Sequence, residues 1–214
     1  MSFFSDISAI QNIVYIFSSI LFISGIKMLG KEDTAVRGNF LSASAMFIAV
    51  AVTIINVVNP VIVLIGVSIG AVIGSLIALR VKMTSIPEMV ALFNGFGGLA
   101  TFFIAWSEFN AIPDNVFQFI VIMLTTYIGG VTFSGSIIAY GKLSEKLKVK
   151  KDSFVTKIFT TFFYASILFL VYSIGFTEII ELPINFFTVL LILTLLGGIG
   201  FVIPIGGGDM PVVI

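Results

Sequence analysis

The chain has 214 residues, of which 58% are hydrophobic and 10% charged, with no net charge and neither cysteine nor histidine. That balance, with a mean hydropathy of +1.19, lies far from the roughly 25% of charged residues usual in soluble domains and marks an integral membrane protein. It excludes disulfides, thiol redox chemistry, Cys/His zinc sites and histidine proton relays within the chain, and it leaves no basic domain to bind nucleic acid.

A hydrocarbon core about 30 Å thick is crossed by about 20 helical residues, and the charged clusters divide the sequence into stretches of that length. Spans are predicted at roughly 8–27, 39–56, 60–79, 86–106, 116–140, 157–175 and 184–205, and the final GGGDMPVVI reads as a turn opening an eighth helix near residue 209. None of these runs alternates with period two, so the fold class is all-α, a polytopic helix bundle rather than a barrel. The N-terminal MSFFSDISAI has no basic residue ahead of its apolar run and no small-residue cleavage site, which favours a retained first span over a signal peptide. Only residues 56–60 separate the second and third spans, so a tight hairpin is expected, with Pro60 suited to a helix start.

The topology follows from charge. Lys27, Lys31 and Arg37 fall in the first loop, Arg80 and Lys82 in the third, and Lys142, Lys146, Lys148, Lys150, Lys151 and Lys157 in the fifth, which accounts for all 11 basic residues. The N-terminus and the even loops carry only acids. Under the positive-inside rule the odd loops are cytoplasmic and the N-terminus is outside. The lysine-rich fifth loop reads as a topology determinant that touches anionic headgroups, ahead of a docking site for a cytosolic domain.

Residues 83–106, MTSIPEMVALFNGFGGLATFFIAW, carry an amide at mid-membrane depth. Projected at 100° per residue, Ala91, Asn94, Gly97, Gly98, Thr101 and Ala105 share one face, and Leu92, Phe96, Leu99 and Phe103 the other. The small face belongs to a bundle interior, where Asn94 needs a partner on another helix or in water. In the third span Gly66, Gly70 and Gly74 repeat at four, a close-packing pattern. In the fifth, Gln118, Thr125, Gly129, Thr132, Ser136 and Ala139 form a polar and small stripe. Single hydroxyls there bond back to their own helix, whereas a stripe that includes Gln118 suits a hydrated seam. In the seventh, Pro204 clashes with the carbonyl of Gly200 and follows Gly197, Gly198 and Gly200, which predicts a kink or an early helix end.

Glu88 follows Pro87 in the first turn of the fourth span, where a helix N-terminus stabilises a carboxylate. Asp209, after three glycines, suits an N-cap at an articulated joint. Neither acid is expected at the bilayer centre.

Three blocks, MTSIPEMVALFNGFGGLA (83–100), GGVTFSGSIIAYGKL (129–143) and GGGDMPVVI (206–214), resemble the beta subunit of proton-translocating NAD(P) transhydrogenase, in the family's order. The resemblance implies a membrane-domain portion of a subunit with nine spans, its N-terminus outside, continuing through two further helices into a cytosolic NADP(H)-binding domain. It implies hydride transfer from NADH to NADP⁺ on other domains, coupled to proton movement through the membrane part of a dimeric complex in the bacterial cytoplasmic membrane. The implied partners are the alpha subunit, the NADP-binding domain and the bilayer. Asn94 takes the position where many members have a histidine implicated in proton transfer; an amide does not titrate, so it orients water or a neighbouring helix. Asp209 matches an aspartate implicated in coupling to the nucleotide domain, and Gly135 and Ser136 match a motif sensitive to conformational state.

The expected proton path is thus Asn94, Thr101, Gln118, Thr132 and Ser136, with coupling or gating at Asp209, Glu88 and Gly135. No strand–turn–helix dinucleotide fingerprint occurs, so the chain is expected to bind no cofactor itself, NAD and NADP being held elsewhere in the complex, and to be inactive alone as a truncated or split subunit. Two other classes stay open: a secondary transporter fragment, for which paired broken helices and an internal repeat would be needed, and a non-catalytic scaffold subunit, for which the small faces are packing surfaces alone.

Overall fold

The structure, a computed structural model, describes residues 2–55, 57, 59–110, 115–147, 153–175 and 184–206, with nothing said of the side chains of residues 2–8 and 184–186. Among the described residues the chain is all-helical: α1 (Ser2–Leu29), α2 (Ala35–Ile54), α3 (Pro60–Arg80), a 3-10 turn at Met83–Ser85, α4 (Ile86–Asn110), α5 (Val116–Leu143), α6 (Phe154–Gly175) and α7 (Ile184–Val202). Six of these helices are long and apolar enough to cross a membrane. The seventh, α7, has 19 residues and by the helical rise is about 28 Å long. The eighth helix expected near Asp209 lies outside the described residues.

Two compact units divide the chain, Met1–Ile77 and Ala78–Ile214. In the first, α1 and α2 run antiparallel. Gly25 and Gly38 face each other: a Cβ on Gly38 would come 2.7 Å from the Gly25 carbonyl oxygen, so only glycine permits this crossing. Nearer the other end, Gln11 Nε2 donates to Val52 O at 3.2 Å and the Tyr15 hydroxyl pairs with Thr53 Oγ1 at 3.0 Å. In contrast, α3 buries none of its residues, and a Cβ on Gly66, Gly70 or Gly74 would meet nothing within 4 Å. The small-residue repeat expected to pack α3 therefore has no partner among the described residues, and no side-by-side α2–α3 hairpin forms there. Pro60 does open α3, as expected.

The second unit is a four-helix arrangement in which α5 packs against α4 and α7 and touches α6, while α6 packs on α7. Residue pairings show α4 antiparallel to α5, α7 parallel to α5, and α6 antiparallel to α7. At one end Phe102, Phe119, Ile122, Met123, Leu170, Phe187 and Leu190 form an apolar core, closed by a Phe109–Phe187 ring stack at 4.3 Å. Where lipid is as apolar as the helices, such cores gain from dispersion and close fit rather than from leaving water.

Close fit explains the glycines. The run Gly197, Gly198, Gly200 does not interrupt α7, which continues to Val202. Gly197 and Gly200 instead lie against Ser166 and Phe159 of α6, while Gly198 lies against Val131 and Ser134 of α5. Thus α7 wedges between two helices at backbone distance. Its end comes early, as Pro204 predicts, because proline offers no N–H to the carbonyl of Gly200.

Candidate site at the α4–α5 seam

Asn94 and Ser136 meet across the seam. Asn94 Nδ2 donates to Ser136 Oγ at 2.9 Å, and Ser136 is 5% exposed. Ser136 accepts through one lone pair and keeps its own hydroxyl proton to donate, while the amide keeps a carbonyl oxygen to accept. The pair can therefore relay hydrogen bonds without carrying charge. Asn94 lies about 12 Å from the start of α4 and Ser136 about 10 Å from the end of α5 by the helical rise. The pair thus sits about a third of the way along the helices rather than at their middle, because α4 runs on to Asn110, four residues past its expected end.

The pair does not hold the helices together. Cross-helix side-chain hydrogen bonds in membranes average about 0.6 kcal/mol. The approach is set by Gly98 and Gly129: a Cβ on Gly98 would fall 2.7 Å from Phe133 N and 3.0 Å from Gly129 O, and one on Gly129 would fall 2.7 Å from Phe102 N. The buried stripe of α4 is Ala91, Gly95, Gly98, Phe102 and Ala105. It differs from the expected small face in taking in Gly95 and Phe102 and in leaving Gly97 exposed, with nothing within 4 Å of a Cβ there. Asn94 and Thr101 flank the stripe.

The remaining predicted residues are strung along the seam. Thr132 lies one turn from Ser136, its Cβ 2.9 Å from where a Cβ on Gly98 would stand. Thr101 donates back to Gly97 O at 2.9 Å. Gln118 lies in the first turn of α5, where its backbone N–H donates to the side chain of Asn115, about 27 Å along the helix from Ser136. Gly135 faces α7, where a Cβ would meet Val202 Cγ2 at 3.0 Å and Gly198 O at 3.3 Å. Glu88 is half-buried in the first turn of α4. Asp209 lies outside the described residues. Most other hydroxyls bond back to their own helices, as Thr125, Thr126, Ser134 and Ser173 do, which singles out the Asn94–Ser136 link. The described residues hold no cluster of three or more His, Cys, Asp or Glu able to bind a metal.

One polar group escaped the sequence reading. Lys142, in the last turn of α5, donates from Nζ to the carbonyls of Val202 at 3.3 Å, Ile205 at 2.8 Å and Ile203. A helix leaves its last carbonyls without intrahelical donors and carries partial negative charge at that end, so an ammonium there is a cap from a neighbouring helix. The signal was a lysine within the block GGVTFSGSIIAYGKL rather than in the loop proper.

Residues 11–214 match the family described as "NAD(P) transhydrogenase beta subunit". The chain belongs to that family. It is 30% identical over 233 residues to the NAD(P) transhydrogenase subunit beta of Rhodospirillum rubrum, covering 94% of this chain and 45% of that protein, and the same figures hold for the protein from a named strain of that species. This member of the transhydrogenase beta subunit family spans about half the length of those relatives, and its helices suit the membrane.

Proposed function

We propose that the chain is the membrane-domain portion of a proton-translocating NAD(P) transhydrogenase beta subunit, and that residues 1–214 form its proton-channel domain. Hydride transfer between NADH and NADP⁺ takes place on other domains, which hold both nucleotides, and the chain contributes the route by which protons move in step with that transfer. It works with the alpha subunit and the NADP-binding domain in a dimeric complex of the bacterial cytoplasmic membrane. The odd loops face the cytoplasm and the N-terminus the outside, because the basic residues all fall on one side.

The observation that carries this reading is the Asn94–Ser136 hydrogen bond across α4 and α5 in a member of the family. An amide and a hydroxyl joined across a seam of close-packed helices contribute little stability, but they can hold and reorient water. Thr132, Thr101 and Gln118 extend that line along the seam, Glu88 stands toward its cytoplasmic end, and Asp209 gates the path in response to the nucleotide domain. Switching is a shift between two states that the nucleotides favour unequally.

The chain has no cysteine, which makes hydration directly testable. In the complete complex, with partner cysteines removed, Thr132→Cys should react with a hydrophilic thiol reagent, and Leu124→Cys on the exposed face of α5 should not. Equal inertness of both would contradict a hydrated seam. It would favour the scaffold reading, for which the groove beside the pair speaks, since Ala91, Leu92, Phe96, Leu99 and Phe133 line it without a polar side chain.

A further inference from the structure

Pro204 ends α7 and strips a donor from its last turn. The carbonyls left over are served from two neighbouring helices. Ile199 O still accepts from Ile203 N at 2.9 Å and Val202 O from Ile205 N at 3.1 Å, while Gly200 O lies 3.5 Å from Thr160 Oγ1 of α6. Lys142 supplies the rest. Its three ammonium protons match three carbonyls, those of Val202, Ile203 and Ile205, which converge on Nζ. Another contact between the same two helices, near the latch, is steric: Val202 and Gly198 rest on Gly135, the residue before Ser136, which holds Asn94. Lys142 is six residues from Ser136, about 9 Å along a single rigid helix.

From this geometry we propose that Lys142 is a positioning residue for proton coupling: its ammonium latches the end of α7 to the end of α5. A displacement of the end of α7 is thereby passed to α5 through the latch at Lys142 as well as through the Val202–Gly135 contact. It reaches the Ser136 hydroxyl as a change in its distance from Asn94. Lys142 touches no reacting group; it acts by keeping α5 and the end of α7 moving together. The ammonium suits this task because it is a compact point charge with donors in three directions, and because helix-end carbonyls favour a cation. Lys146, four residues on, does something different, its ammonium lying over the Tyr140 ring at 5.5 Å from the centroid.

The proposal rests on the transhydrogenase reading, and the test separates the two. In the complete complex reconstituted into vesicles, proton uptake and hydride transfer are measured in parallel for the wild type, Lys142→Met, Lys142→Arg, Lys146→Met and Asn94→Leu. Lys142→Met should lower the protons moved per hydride about tenfold, within the usual range of coupling between sites, while hydride transfer in permeabilised vesicles stays within about twofold. Lys142→Arg should keep at least about half of the wild-type ratio, since charge and donors remain, and Lys146→Met should match the wild type. An unchanged ratio in Lys142→Met overturns the latch, as does an equal loss in Met and Arg or a parallel fall in hydride transfer. If Asn94→Leu pumps normally the functional reading fails; if Asn94→Leu is dead and Lys142→Met is normal, only the latch fails. Where Lys142→Met does not assemble, Lys142→Gln is judged by the same criteria.

Discussion

Gly97 and Gly98 are neighbours in sequence with opposite surroundings, and alanine at each tests the packing of α4 on α5. At Gly98 the added methyl would lie 2.7 Å from Phe133 N, 2.9 Å from Thr132 Cβ and 3.0 Å from Gly129 O. Comfortable contact lies near about 3.5 Å, and two of these atoms are backbone, so the helices must part by about 0.6 Å. Overpacking of this kind costs about 1 to 3 kcal/mol. Asn94 lies one turn before Gly98 and Ser136 one turn after Thr132. The same separation would lengthen their 2.9 Å hydrogen bond to about 3.5 Å, past the useful range, for a further loss of about 0.6 kcal/mol. At Gly97 nothing lies within 4 Å, and alanine gains up to about 1 kcal/mol of helix propensity. Unfolding titrations of the two variants in bicelles should therefore differ by about 2 to 4 kcal/mol, with Gly98→Ala the weaker. Stabilities within about 0.5 kcal/mol of each other would refute the claim that a glycine crossing sets the seam.

Three further substitutions probe other parts of the account. A double-mutant cycle on Asn94→Ala and Ser136→Ala should give a coupling of about 0.6 kcal/mol and no more than about 1.7, read by the same titration; a much larger value would make the pair a structural clamp. Gly200→Ala sets a methyl into the Phe159 carbonyl of α6 and should cost at least about 1 to 3 kcal/mol, whereas Gly175→Ala, with nothing within 4 Å, should cost nothing measurable by thermal inactivation. Ser18 is buried with no hydrogen-bond partner for its hydroxyl among the described residues, so Ser18→Ala should leave stability unchanged or raise it, since an unpaired buried hydroxyl costs about 1 to 3 kcal/mol; a loss measured by the titration would mean that the hydroxyl has a partner.

The helical, membrane-length character of the chain was legible because apolar runs of that length lie between charges, and six of the described helices are long and apolar enough to cross a membrane. Helix ends were less so. The start of α5 falls where expected, at Val116, behind Asn115, whose side chain accepts the Gln118 N–H at 2.9 Å, but α4, expected to end near residue 106, runs on to Asn110. The glycines show where sequence stops informing. The repeat Gly66, Gly70, Gly74 has the spacing associated with close packing and meets nothing, while Gly25 and Gly38, in no repeat, form a crossing at backbone distance. Spacing says which residues share a face; which face finds a neighbour depends on the other helix. Asn94 announced its need for a partner, since an amide in an apolar helix must bond to something, yet no periodicity names Ser136 as that partner. Lys142 was hidden for a different reason. Six lysines crowd one loop region, and only the end of α7 distinguishes the one that caps a neighbour.

The central claim is that protons pass along the seam where Asn94 meets Ser136. It is tested most directly by dye-detected proton uptake in vesicles holding the complete complex with Asn94→Leu, alongside nucleotide binding by the same preparation. Leucine fills the space without donor or acceptor, so coupled proton uptake should be abolished while nucleotide binding stays intact. Proton uptake at the wild-type rate would contradict the account and leave Asn94 a structural link between two helices.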